Sequence, residues 1–112
     1  MKVLIEVSEP WDFITRKDAT NNFVGCIIKE NAEHTKFIVQ LNEIIKYKGK
    51  EFDKVICEVR YVNQKFNLTC PGGDGQICAI TGIPNECFDI ANPFSYDMNT
   101  TVYLIGAITV KK

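Results

Sequence analysis

Apolar and polar residues alternate most strictly between Lys36 and Val62, in two segments joined across Tyr47-Lys48-Gly49-Lys50-Glu51. Phe37, Val39, Leu41, Ile45 and Tyr47 share one parity, while Lys36, Gln40, Asn42, Lys46 and Lys48 fall on the other, the period-2 signature of a half-buried strand. On the second arm Val55, Cys57, Val59 and Tyr61 oppose Lys54, Glu58 and Arg60. The pattern predicts a long β-hairpin. Gly49 is the residue between the arms that takes a positive φ without steric cost, so the reversal is expected there, in a loop longer than a two-residue turn.

The rest of the chain reads as cover for that hairpin, since two strands alone are not stable. Lys2–Val7 alternates and stops at Ser8-Glu9-Pro10; Ser8 as N-cap and Pro10 as first helical residue predict one short helical turn within residues 10–18. Trp11 is expected as a buried lid over one end of the core. Phe23–Lys29 is apolar on both parities, as in a strand covered on both faces, with Gly25 at a bend or bulge. Gln76–Gly82 and Thr101–Val110 complete six strands, the last apolar on both faces and expected in mid-sheet. Between them, Ile83–Thr100 is a long connection of the kind that is often functional. The prediction is a mainly β fold, a single antiparallel β-barrel or β-sandwich domain spanning residues 1–112, with Phe37, Val39, Leu41, Val55, Val59, Leu104 and Ile108 in its core.

Composition narrows the picture only modestly. At 112 residues, 46% hydrophobic and 24% charged, the chain suits an ordinary globular domain, and a net charge of −1 provides no global attraction for nucleic acid or anionic lipid. The apolar run at the N-terminus ends at Glu6, too early for a secretory core or a membrane span, so a cytoplasmic protein with no membrane partner is expected. Five cysteines, Cys26, Cys57, Cys70, Cys78 and Cys87, cannot all pair internally. They are expected to be reduced, with Cys26 and Cys57 as core hydrophobes. The spacing lacks the paired knuckles of a structural zinc site, and His34, the only histidine, is expected in a solvated loop; no metal or cofactor is predicted.

Candidate chemistry is thin. Cys70-Pro71-Gly72-Gly73-Asp74-Gly75 is followed by a strand pattern rather than a helix, so it reads as a turn and not a phosphate loop. With no nucleophile motif and one histidine, an enzyme is the weakest class. The distinctive feature is charge segregation. From Phe66 to Val110 there are four carboxylates and no cation, whereas Lys46–Lys65 holds six cations against three carboxylates. Asp74, Glu86, Asp89 and Asp97, with Phe94 and Tyr96, are therefore expected to bind a basic protein, in the manner of a non-enzymatic inhibitor or toxin-neutralising immunity protein. The alternative is an OB-like nucleic-acid barrel, stacking bases on Tyr47, Phe52, Tyr61 and Phe66 among the hairpin cations.

Overall fold

The structure, a computed structural model, describes residues 2–15, 21–33, 35–59 and 76–111. His34, Tyr61, Phe66, Cys70 and Asp74, and the side chain of Val59, lie outside the described residues. Six strands, β1 (Lys2–Glu9), β2 (Asn22–Glu30), β3 (Lys36–Tyr47), β4 (Lys50–Val59), β5 (Gln76–Ile83) and β6 (Val102–Val110), form a closed barrel in which each pairs antiparallel with its sequence neighbours and β6 returns to β1. This is an up-and-down meander. An OB-fold is a five-stranded Greek key, and this six-stranded meander differs from it in topology.

Alternation fills the interior. Val3, Ile5, Phe37, Val39, Leu41, Val55, Leu104 and Ile108 all face inward and are buried. The hairpin departs from the expected register at one point: Val39 pairs with Val55, but Ile45 pairs with Phe52. The slip reverses the parity of β4, which is how Phe52 and Val55, an odd number of residues apart, both reach the core. Gln40 spans the irregularity, its Nε2 donating to the carbonyls of Leu41 (3.2 Å) and Asp53 (3.1 Å). Tyr47 and Phe52 are therefore interior residues and present no stacking surface. Gly82 accommodates Phe52, since a Cβ there would lie 2.6 Å from the ring.

The reversal itself is tighter than expected. Tyr47 pairs with Lys50, leaving only Lys48 (φ 49°) and Gly49 (φ 76°) between the strands, both left-handed as a type I′ turn requires. In β2 the register shifts between Ile27 and Lys29, while Gly25 sits in regular pairing with Val3 and Leu41. Nor is β2 covered on both sides, because Cys26 and Ile28 are exposed.

A four-residue helix, α1 (Trp11–Ile14), caps the end of the barrel where β1 finishes. Pro10 occupies its N-cap position without a side-chain cap, and Ser8 Oγ instead donates to the Ile105 carbonyl (3.2 Å). The lid is Phe13 rather than Trp11. Phe13 is fully buried, edge-on to Phe23 (centroids 6.2 Å apart) and Tyr47 (5.1 Å), while Trp11, two residues earlier on a short helix, points the other way and is 75% exposed.

Candidate functional site

Two of the outward apolar surfaces are treated differently by the chain, apart from scattered exposed residues such as Ile28 and Ile44. On β3 and β4, Ile38 and Ile56 face outward yet are buried, because residues 84–101 cross them as a strap. Phe88, Phe94 and Tyr96 pack against Ile38, Ile56 and Ile83 to make a second small core, and the Lys54 ammonium lies 5.1 Å from the Phe88 ring centre. At its far turn the strap shares a cleft with Lys29 of β2, lined by Ala91–Ser95.

The expected binding residues are distributed along this strap. Phe94 and Tyr96 come together, but they spend part of their surface holding the strap down. Asp89 accepts from the Ala91 N–H and Asp97 from the Asn99 N–H (both 2.9 Å), so each exposed carboxylate also braces its own turn. Glu86 sits apart, in a cleft with Lys50 and Glu51 beside the hairpin turn. Asp74 lies outside the described residues.

The other apolar surface is the wall made by β6 and β1. Tyr103 and Ile105 face outward on β6, with Glu9 paired to Ile105 and Glu6 to Ala107 on β1; Tyr103 remains 47% exposed. Trp11 on α1 stands over the end of this wall. With Ser8, Glu9, Pro10, Ile14, Tyr103 and Ile105 it lines a largely apolar groove of about 390 Å³. Residues 3–9 and 102–110 contain two charged side chains, Glu6 and Glu9, and no cation.

A latch holds Trp11 in place. Lys48, raised by its left-handed turn, reaches Asp12 of α1 (3.1 Å) while its ammonium lies 5.3 Å from the Tyr47 ring centre. The buried Tyr47 hydroxyl lies by the same carboxylate without a geometrically sound hydrogen bond. The hydroxyl and the Lys48 ammonium hold the Asp12 carboxyl below its usual range. Burial first, then the Asp12 charge, push the Tyr47 phenol up, and Asp12 pushes the Lys48 ammonium up.

Trp11, Tyr103 and Ile105 were not legible as a group. Tyr103 and Ile105 belong to the outward parity of β6, which the sequence places in mid-sheet, and Trp11 is far away along the chain. The thiols also differ from expectation: Cys26 is exposed, whereas Cys78 joins Cys57 in the core, on neighbouring strands. Among the described residues no three His, Cys, Asp or Glu side chains converge as metal ligands, and no helix is long and apolar enough to cross a membrane. Comparison with family models, curated proteins and solved structures yields no match, so the groove is read on its own chemistry.

Proposed function

We propose that the protein is a non-enzymatic binding domain that docks a basic partner protein and acts by occluding it, as an inhibitor or immunity protein does. The observation carrying this reading is the β6–β1 wall, where Trp11 and Tyr103 stand exposed around an apolar groove whose lining, among the described residues, carries one charge, the Glu9 carboxylate. Exposed aromatics beside a groove are the residue types that dominate binding energy at protein interfaces, and same-sign carboxylates around them steer a partner of opposite charge. The exposed Glu86, Asp89 and Asp97 of the strap extend the negative field without belonging to the groove. Exposed Cys26 and Cys87 as free thiols suit a reducing compartment such as the cytoplasm.

The test needs a defined complex. A partner co-purified from the native cells is re-bound to the pure protein, and its affinity is measured against Trp11→Ala and Glu9→Lys. Each substitution is expected to weaken the complex at least about tenfold, the scale of an interface hot spot, with melting unchanged. Affinity equal to the parent's in both variants refutes the reading. So does salt-sensitive retention of the parent on single-stranded DNA, which would restore the nucleic-acid alternative.

A further inference from the structure

We infer that the Trp11–Tyr103 groove is a receptor for a single arginine side chain of the partner, the guanidinium lying against the aromatic faces and neutralised by Glu9. The inference rests on the protein-binding reading and adds the chemistry of the anchor. Three independent features of the wall converge on it.

The first is the lining. Trp and Tyr rings carry negative π-faces, Trp most strongly, and both rings here border one groove while keeping much of their surface in water. The second is charge complementarity. Glu9 lines the groove itself, Glu6 lies next along the same wall, and among the described residues no cation lines the groove. A cationic anchor, unlike a purely apolar one, also gains the attraction of the Glu9 carboxylate. The third is preorganisation. Fully buried Phe13 anchors α1 to the core, with the exposed Lys48–Asp12 pair beside it, so that Trp11 is already presented before binding. Arginine suits the site better than lysine because its planar, weakly hydrated guanidinium stacks on a ring and pairs with a carboxylate at the same time.

Trp11 is the only tryptophan, so its emission reports on the groove alone. The probes are two blocked pentapeptides, glycine at every position except a central arginine in one and a central citrulline, the neutral isostere, in the other. The arginine peptide is expected to change Trp11 emission saturably, with an affinity about three- to tenfold above that of the citrulline peptide, the range a cation–aromatic contact with one carboxylate supplies. Glu9→Gln should shrink the preference to within about twofold, and Tyr103→Ala should weaken arginine binding with the tryptophan readout intact. Equal binding of the two peptides, no saturable response, or a preference that survives Glu9→Gln overturns the inference. The two readings fail separately. A partner lost on Trp11→Ala while the peptides bind alike removes the arginine anchor alone; arginine selectivity with partner affinity unchanged in the wall variants removes the docking reading.

Discussion

The wall formed by β3 and β4 and the wall formed by β6 and β1 start from the same sequence pattern and end differently. Both present apolar residues on the outward parity: Ile38 and Ile56 on the first, Tyr103 and Ile105 on the second. On the first wall, eighteen residues of connection fold back, and Ile38 and Ile56 are left 1% and 2% exposed. On the second, Tyr103 keeps almost half its surface in water and a groove opens beside it. The two walls thus differ in whether the chain covers its own outward apolar residues, while Ile28 and Ile44 stay exposed singly. Isolated exposed apolar side chains are normal, but a contiguous set around a concavity marks an interaction site.

The sharpest way to break the comparison is by truncation on both walls. Ile56→Ala should destabilise by about 2–5 kcal/mol, because it empties a packed position under the strap, whereas Tyr103→Ala should cost less than about 1 kcal/mol. Urea unfolding of the two variants measures both. Similar losses would mean that the walls are equally covered.

The interior behind the two walls should respond alike. Burial raises the Cys57 thiol of β4 well above 9.0 and the Cys78 thiol of β5 from 9.0 to about 12. A group whose pKa is raised by folding contributes fully below its unfolded value and is lost as pH rises. Stability is therefore expected to hold up to about pH 9 and then fall, Cys78 alone accounting for up to about 4 kcal/mol by pH 12. Cys78→Ala should flatten part of that decline in a pH series of melting curves; an unaltered slope would place the alkaline loss elsewhere. At neutral pH a thiol reagent should modify Cys26 and Cys87 well before Cys57 and Cys78, since the first pair is exposed and burial suppresses the thiolate of the second.

The smallest expected effect concerns the latch that presents Trp11. The Asp12 carboxyl is lowered from 3.8 in the folded protein, so its contribution is present above that pH and disappears as pH falls through the folded value. Asp12→Asn should remove this acid dependence with little change in neutral-pH melting, as expected of an exposed ion pair. It should also alter the emission of Trp11, the neighbouring residue. Unchanged emission would show that α1 holds its position without Lys48.

Much of the barrel was legible because alternation is a local property: each strand's parity follows from its own residues, and six such segments leave few alternatives to a curled antiparallel sheet. The hairpin arms, the closing strand and the inward set from Phe37 to Leu41 were readable on that ground. What alternation cannot encode is the pairing offset between strands, and the slip between Gln40 and Ile45 turned Phe52 inward, away from the stacking surface expected of it. Nor does it say which side of a one-turn helix faces the core; Phe13 took the buried position and left Trp11 outside. The charge segregation of residues 66–110 was visible in the sequence, but only the path of the strap decided that Phe94 and Tyr96 would anchor it. Alternation specifies that a side chain points outward. Whether water, a strap or a partner meets it depends on contacts between residues far apart in the chain, and those exist only in the folded molecule.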